Sequence, residues 1–471
     1  MMGRRPPLQR ELFCYASEVP RTRLAERTQA LQEAFDWEAV RARAQAYFDP
    51  TVGRPSLDPV VVVKLLLLHK LTGCRSWRGL VELASDSMAC REFLGYAWSE
   101  SLPSHQALCD WRQRLGPEFF EDLLVDIVRH CQREGMVLSD VRVVDATGVK
   151  AQADLAGPTV TLDPELSEAE AWLAAAGLGG QGEDEPPPKG GGRGLAPVCE
   201  QEPKKRTKLA PPVVNLHDPE ARVSRKPGQP RAFRYQVSCC TDPHSQLVVS
   251  TLVKGTEEPG TALEHVDQDP GQVAILVADQ HYDTTAVHVG LVERGVKAVI
   301  CRQDRQRGHG YAREQFEYHV VGDFYRCPAG AELHRVNATA SGDRKYRGSA
   351  AACGSCAQRC WCTESEVRHM TVQADAAARD GAVRGGREYR ALQTLRRMAE
   401  HIWRVGKRDL GLERADGLGL AQMRISAALV AVCINLGKLL AWRAAGPAPG
   451  VLAAALDPDG PEATVALSWA A

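Results

Sequence analysis

Residues 142–151, RVVDATGVKA, place one acid inside a β-branched run that is otherwise typical of a buried strand. A carboxylate buried without a partner is costly unless a proton, a cation or a metal ion compensates it. We therefore expect the strand to end at Asp145, beside a charged site. Taken alone, an Asp at a strand end is also a common turn former or helix N-cap.

A second acid, Asp279, follows an equally apolar run in ILVADQHYD (275–283) and also ends a predicted strand. Corresponding ends of neighbouring strands lie a few ångströms apart, so the carboxylates of Asp145 and Asp279 would repel each other without a cation between them. Mg²⁺ prefers carboxylate oxygen and keeps several waters, which leaves room for a phosphate. The pair therefore predicts a magnesium site.

The predicted helix EYRALQTLRRMAEHIWRVGKRDLG (388–411) supplies a third acid. At about 100° per residue, Arg396, Glu400 and Lys407 fall within a narrow arc on one helix face. The alternative is an ordinary surface pair between Arg396 and Glu400, worth about 0.2–0.5 kcal/mol. The apolar residues that would seat the helix on a sheet run beside the arc: Leu392, Leu395, Ala399 and Ile402.

Short β-rich runs begin near residue 138 and alternate with helical patterns, which indicates a mixed α/β layer. The segment 57–135 instead has helical spacing throughout. The predicted strands are 142–151, a hairpin over 232–253 that turns at Asp242–Ser245, 272–282 and 296–302, and the predicted helices are 260–268, 284–295 and 388–408.

The composition is that of a soluble globular protein, with 44% hydrophobic and 25% charged residues in 471. The opening residues lack the apolar stretch of a secretory signal, which favours a cytoplasmic protein. Charged or polar residues interrupt the two longest apolar runs, 60–71 and 425–442, so we expect buried helices and no membrane span. A net charge of −1 leaves a local basic face possible.

The order of an Asp on a first strand, an Asp on a fourth strand and a late helical Glu resembles the ribonuclease-H-like catalytic core of bacterial DDE insertion-sequence transposases. The stretch RRMAEHIWRVGK is similar to their R-x3-E-x6-K signature as Arg396, Glu400 and Lys407. The signature begins with a Tyr three residues before the Arg, where this chain has Gln393. The blocks VVDATGVKAQA, VADQHYDT, GLGLAQMRISAALVAVCINLGKLL and the N-terminal GRPSLDPVVVVKLLLLHKLTGCRSWRGL also resemble family blocks.

The resemblance implies a ribonuclease-H-like mixed sheet with flanking helices, preceded by an all-α domain and interrupted by a small cysteine-rich insertion. The expected boundaries are a helical DNA-binding and dimerisation domain at 1–136; a catalytic core at 137–154, 213–302 and 387–445; a flexible low-complexity insertion at 155–212; a cysteine-rich insertion at 303–386; and a tail at 446–471.

The same resemblance implies strand cleavage at element ends and transesterification into target DNA. Asp145 would bridge two Mg²⁺ or Mn²⁺ ions about 3.5–4 Å apart, while Asp279 and Glu400 each complete one side. Arg396 and Lys407 would bind phosphates beside the scissile bond. The partners would be terminal repeats, target DNA and a second copy of the chain when the ends are synapsed. The alternatives are an inactive element-derived DNA-binding protein and a ribonuclease-H-like nuclease that does not transpose.

Two further segments are candidates for DNA contact. The short helix in LPSHQALCDWRQRLG (102–116) carries Arg112 and Arg114 and could be the recognition helix of a helix-turn-helix, or simply a packed helix with solvated arginines. The basic segment 222–234, with Phe233 and Tyr235 at its end, could hold a DNA backbone, but a solvated hairpin edge is the favoured interpretation.

Five of the fifteen cysteines cluster in YRCPAG…YRGSAAACGSCAQRCWCTE, while most of the others are scattered singly, which is typical of a reducing compartment. The C-x2-C spacing allows two thiolates to share one tetrahedral zinc ion. A similar array in the resembling transposases implies Cys327, Cys353, Cys356 and Cys362 as the ligands and leaves Cys360 spare. Structural zinc and free or redox-active thiols both remain open.

Overall fold

The structure is a computed structural model, and its contacts divide the chain into two compact units. Unit 1 comprises Met1–Pro158, Asn215–Cys301 and Asp380–Ala471, and unit 2 comprises Thr159–Val214 and Arg302–Arg379. The structure describes residues 22–49, 56–74, 76–161, 213–224, 228, 230–256, 258–301, 310–311, 315–338, 344–372 and 386–446. Most of the expected low-complexity insertion, 155–212, and nearly all of the expected tail lie outside these residues.

Six helices form the first part of unit 1. They are α1 (Arg23–Ala34), α2 (Trp37–Gln45), α3 (Pro59–Thr72), α4 (Trp77–Asp86), α5 (Met88–Leu94) and α6 (His105–Arg133). Each begins at a Ser, Thr or Asp whose side chain accepts a hydrogen bond from a backbone N–H of the first turn. These helices pack in the same unit as the sheet described next.

Helix α6 contains a kink that the sequence dictates. Gly116 adopts φ 71° and ψ 170°, which an L side chain rarely tolerates, and Pro117 follows it as the first residue of a new helical segment. The first segment of α6 thus ends at Gly116, and its N-cap is Ser104, whose Oγ accepts from the Ala107 N–H at 3.4 Å.

A six-stranded mixed sheet forms the centre of unit 1. The strands are β1 (Val141–Lys150), β4 (Arg222–Ser224), β5 (Ala232–Thr241), β6 (Val248–Lys254), β7 (Ile275–Ala278) and β8 (Lys297–Ile300). Their order in the sheet is β4-β5-β1-β7-β8, and β6 pairs with β5. Strand β1 runs antiparallel to β5 and parallel to β7, which is in turn parallel to β8. The predicted hairpin over 232–253 is confirmed as β5 and β6.

Helices cover both faces of this sheet. On one face lie α7 (Thr261–Asp267) and α8 (Thr285–Glu293), which pack onto a core that includes Val144, Cys240 and Leu276. On the other face lie α12 (Arg396–Asp409), against β1, and α13 (Gly419–Ala445), against β5 and β6. The helix predicted over 388–408 is two helices, because the single residue Leu395 separates α11 (Gly386–Thr394) from α12.

Helix α13 joins the two parts of unit 1. It packs against α1, α3 and α6 as well as against the sheet, and the side chain of its Asn435 hydrogen-bonds both the N–H and the C=O of Val248 at 2.8 Å. Within the described residues it is the helix long and apolar enough to span a membrane, and most of its apolar stretch is buried inside the protein.

Unit 2 contains a five-stranded antiparallel sheet in the order β13-β12-β11-β10-β9 and a two-stranded pair of β2 with β3. The strands are β2 (Thr159–Thr161), β3 (Val213–Asn215), β9 (Glu317–His319), β10 (Phe324–Arg326), β11 (Glu332–Ala338), β12 (Arg344–Gly348) and β13 (His369–Val372), with short helices α9 (Ala350–Gly354) and α10 (Arg359–Cys362) between the last two. The small core of the larger sheet includes Tyr325, Leu333 and Tyr346.

Candidate active site

Asp145 lies in the middle of a strand. The expectation that the strand ends at Asp145 is wrong, because β1 continues to Lys150 and pairs with β5 along this length. On one side of β1, Asp145 is paired with Cys239 of β5, whereas on the other side β7 ends at Ala278. An acid is tolerated within the strand because the neighbouring strand ends beside it.

Asp279 is the residue directly after β7. In the parallel register Val141 faces Ile275 and Val143 faces Val277, so continuing by two residues brings Asp279 level with Asp145 on the same sheet face. Asp279 also caps the short 3₁₀ turn Gln280–Tyr282, since its Oδ1 accepts from the His281 N–H at 2.8 Å. Asp279 is therefore both the N-cap of this turn and the acid that lies level with Asp145.

Glu400 lies on α12, the helix that packs against β1. Its side chain is exposed, whereas the four apolar residues expected to seat the helix are buried: Leu392, Leu395, Ala399 and Ile402. Glu400 therefore lies on the exposed side of α12, within electrostatic range of Asp145.

The three acids influence one another electrostatically. The pKa of Asp145 is raised to about 6, mainly by burial and then by the carboxylates of Asp279 and Glu400, against the lowering effects of the Ala146 N–H and Arg396. Among the residues that the structure describes, however, no three His, Cys, Asp or Glu side chains lie close enough together to hold one metal ion. Asp279 and Glu400 thus lie within electrostatic range of Asp145, but the three carboxylates are too far apart to bind one metal ion together.

Arg396 stands between the second acid and the neighbouring strand. Its Nη2 lies 3.9 Å from Asp279 Oδ2, and its Nη1 lies 3.8 Å from the Cys301 sulfur. Gln393, at the position where the family signature has Tyr, donates to the Val299 carbonyl at 2.8 Å and accepts from the Cys301 thiol at 3.1 Å. Gln393 thus anchors α11 to the end of β8.

Lys407 ties α12 to β1. Its Nζ donates to Thr147 Oγ1 at 2.6 Å and to the Gly148 carbonyl at 3.1 Å. Thr147 is two residues from Asp145 and therefore on the same face of the strand. The ammonium group fixes the helix of Glu400 relative to the strand of Asp145.

Two exposed arginines on α12 were missed in the sequence. Arg397 and Arg404 lie one turn before and one turn after Glu400 and are both exposed. Their positions, three residues before and four residues after Glu400, could have indicated them in the sequence. The R-x3-E-x6-K signature marks Arg396 and Lys407 instead.

Arg112 is not at the surface, so its expected contact with DNA is wrong in this fold. It is 3% exposed, donates to Asp416 Oδ1 at 3.3 Å and lies over the Trp77 ring. Lys70 donates to the other oxygen of Asp416 at 2.8 Å. Although burial opposes it, these two cations hold the pKa of Asp416 below its usual range. Arg112 belongs to this buried cluster.

Arg114 is exposed and lies over the Phe48 ring at 5.3 Å, so its contact with DNA stays a prediction. In the basic segment 222–234, Phe233 and Tyr235 are buried and do not offer rings to a ligand. The Tyr235 hydroxyl instead donates to Asp218 at 2.5 Å. Residues 225–227 and 229 of this segment lie outside the described residues.

All thirteen cysteines that the structure describes are free thiols. In unit 2, the Ala331 N–H donates to the Cys327 sulfur at 3.3 Å. Burial raises the pKa of Cys362, and Cys327 and Cys353 lie near enough to raise it further. Cys356 is half-buried and Cys360 exposed. As placed, these thiols do not form a metal site.

Two protein families match parts of the chain. Residues 17–114 match a transposase domain (DUF772), and residues 326–440 match a transposase DDE domain. The second match contains Glu400 and the cysteine cluster, whereas Asp145 and Asp279 lie outside both matched segments. No curated protein matches the chain.

Among solved structures, the chain is similar to a piggyBac transposase synaptic complex with hairpin DNA. The identity is 8% and the TM-score 0.33, over 89% of this chain and 74% of that one.

Proposed function

We propose that this chain, which belongs to the DDE transposases of insertion sequences, cuts DNA at the ends of its element and joins the freed ends to target DNA. The observation that carries the proposal is the convergence of Asp145, Asp279 and Glu400. Asp145 and Asp279 are level on one sheet face, and Glu400 is on the helix that covers that face. The pKa of Asp145 is raised by burial and, in addition, by the carboxylates of Asp279 and Glu400.

The donor set fits hard divalent cations. Asp145, Asp279 and Glu400 offer only carboxylate oxygen, and their mutual repulsion is what a bound cation would relieve. Asp145, Asp279 and Glu400 would together hold a pair of Mg²⁺ or Mn²⁺ ions. When bound, the ions would generate the attacking oxygen nucleophile and stabilise the leaving oxygen.

The side chains around the acids have positioning tasks. Lys407 holds α12 on β1, and Arg396 lies beside Asp279, so both limit how far the carboxylates can separate. Because Glu400 is exposed, it is free to approach Asp145 when a cation and DNA arrive. Arg397 and Arg404 provide charge for phosphates on either side of the scissile bond, together with the predicted contacts of Arg396 and Lys407.

The remaining parts of the proposal concern the whole protein. The core is ribonuclease-H-like, as the parallel pairing of β1 with β7 and the antiparallel pairing of β1 with β5 suggest. The protein acts in the cytoplasm on terminal repeats and target DNA, and two copies assemble when the element ends are synapsed.

We also propose a structural zinc ion in unit 2, held by Cys327, Cys353, Cys356 and Cys362. The N–H donated to Cys327 is the kind of hydrogen bond that stabilises a thiolate ligand, and the mutual influence of Cys327, Cys353 and Cys362 indicates a shared environment. Zinc would bring the four sulfurs together. Free or redox-active thiols are the alternative.

A plasmid assay tests the activity. We expect the purified full chain to nick a supercoiled plasmid that carries the element ends with Mg²⁺ or Mn²⁺, and not with EDTA. Joined products in a second plasmid would distinguish a transposase from a nuclease without transposition. End binding without any ion-dependent nicking would contradict the proposal and favour a DNA-binding protein without catalytic activity.

A further inference from the structure

The five-stranded sheet of unit 2 turns one face to its own core and the other to solvent. On the solvent face the strand register aligns one residue from each strand into a single row across the sheet. This cross-sheet row consists of His319, Phe324, His334, Arg347 and His369. Four of the five residues are aromatic or imidazole rings.

The rings of the cross-sheet row pack against one another. His319 stacks on Phe324 with centroids 4.6 Å apart and an interplanar angle of 9°, and Phe324 lies 5.6 Å from His334. The His334 side chain is 64% exposed, so the series is open at this end. The Phe324 and His334 rings are tilted by 43°, so the stack itself consists of His319 and Phe324. A planar group placed on His334 would continue the row of rings toward Arg347, the residue opposite His334 in the register.

Charge is distributed unevenly beside the row. On one side, β12 carries the exposed Lys345, two residues from Arg347 and on the same face of the strand. The residues paired with Lys345 in the register, Asn337 and Thr371, are uncharged. On the other side lie Glu317 and Glu332, which contact His319 and His334 at 3.5 and 3.3 Å. Arg326 is paired with both glutamates in the register and lies over the Phe324 ring at 5.9 Å, so this side carries two carboxylates and one cation. An anionic ligand would therefore place its charge over Lys345 and Arg347 rather than over the glutamates.

We propose that this face binds single-stranded DNA, with a base stacked on His334 and adjoining phosphates on Lys345 and Arg347. Open sheet faces that combine stacked rings with basic side chains suit unpaired nucleotides, whose bases are free to stack. A duplex would not offer its bases in this way. The inference rests on the proposed function in one respect, since strand cleavage at element ends supplies the unpaired DNA.

The test measures binding of a fluorescein-labelled 12-nucleotide single strand and of the matching duplex to the full chain in EDTA, by anisotropy. We expect tighter binding of the single strand. His334→Ala should weaken it about 10-fold, and His334→Phe should restore it, because stacking on one ring is worth about this much. Lys345→Gln/Arg347→Gln should reduce the slope of log K against log salt by about 1.4.

Arg294→Gln/Lys297→Gln, which removes two exposed charges from the segment that leads into β8 in unit 1, is the matched control and should leave the slope unchanged. The inference would be overturned if the control reduced the salt slope as much as Lys345→Gln/Arg347→Gln does. It would also be overturned if His334→Ala and Lys345→Gln/Arg347→Gln both bound the single strand as the wild type does. Plasmid nicking is measured in parallel. Nicking without single-strand binding contradicts this inference alone, and single-strand binding without nicking contradicts the proposed function alone.

Discussion

Lys407 on α12 donates a 2.6 Å hydrogen bond to Thr147 on β1, two residues along the strand from Asp145. Lys407, the lysine of the family signature, thus makes a hydrogen bond inside the protein. It binds the strand that carries Asp145 and lies two helical turns from Glu400. Because this hydrogen bond holds α12 against β1, it helps to set the distance between Glu400 on the helix and Asp145 on the strand.

Lys407→Met should slow plasmid nicking about 10- to 100-fold, because it frees α12 from β1 and misplaces Glu400. Thr147→Val removes the same hydrogen bond from the strand side. If the two residues act through this bond, the double variant should be little worse than either single one. Arg408→Met, which removes an exposed cation one residue along the helix, should nick normally. Additive losses would show that Lys407 acts elsewhere.

Glu400→Gln should abolish nicking while binding of the element ends survives, since the amide keeps the size of the side chain but loses its charge. Nicking and gel-shift assays on one preparation check both properties. Glu388→Gln, an exposed acid on α11, is the control and should retain activity. Full nicking by Glu400→Gln would remove this residue from the site.

Asp145→Asn should stabilise the cation-free protein at pH 7 by about 1–3 kcal/mol, because the wild-type acid is ionised there against its raised pKa. The native carboxyl, with a pKa of about 6, takes up its proton before the unfolded one. The gain should therefore shrink as pH falls from 6 toward 4. Urea unfolding in EDTA at several pH values measures it.

Mg²⁺ should raise the Tm of the wild type and not that of Asp145→Asn, because a ligand of the folded state stabilises it by mass action. The effect should weaken below pH 6 as Asp145 becomes protonated. An equal Tm rise in both proteins would place the bound cation elsewhere.

Cys353→Ser/Cys356→Ser should lower the zinc content of the purified protein from about one equivalent to near zero and reduce its Tm. Elemental analysis and a thermal melt provide the measurements. Cys360→Ser, the spare cysteine of the cluster, is the matched control. A wild-type protein without zinc and an unchanged melt of the double variant would exclude the zinc site.

Asp416→Asn should destabilise the protein by about 3–5 kcal/mol, since it leaves Lys70 and Arg112 buried without their counter-charge. Asp409→Asn disrupts only an exposed pair with Arg408 and should cost less than about 1 kcal/mol. Urea denaturation compares the two. Similar small effects would mean that the Asp416 cluster contributes little to stability.

The pattern of apolar and β-branched residues was sufficient to predict the hairpin of β5 and β6, the strands β7 and β8 and the seating of α12. It could not show that β1 runs past Asp145, because the length of a strand depends on its partner, and β5 continues to pair where β7 has ended. The break at Leu395 was equally hidden, since this residue keeps helical dihedral angles and no Pro or Gly marks it.

The order of the three acids along the chain predicted the candidate site. The sequence did not show which of the arginines predicted to bind DNA would be buried and which exposed. Arg112 and Arg114 have the same charge and lie two residues apart, yet one is buried with Asp416 and the other is exposed. The difference depends on a partner about 300 residues away in sequence, which local patterns do not contain.

Helix α13 is synthesised after every element against which it packs, from α1 to α12. During synthesis the N-terminal helices and the sheet therefore emerge before their common partner, and unit 1 can complete its core only after residue 445 has been translated. A transcript broken before that point would yield a product with exposed apolar surface, which cellular proteases would remove.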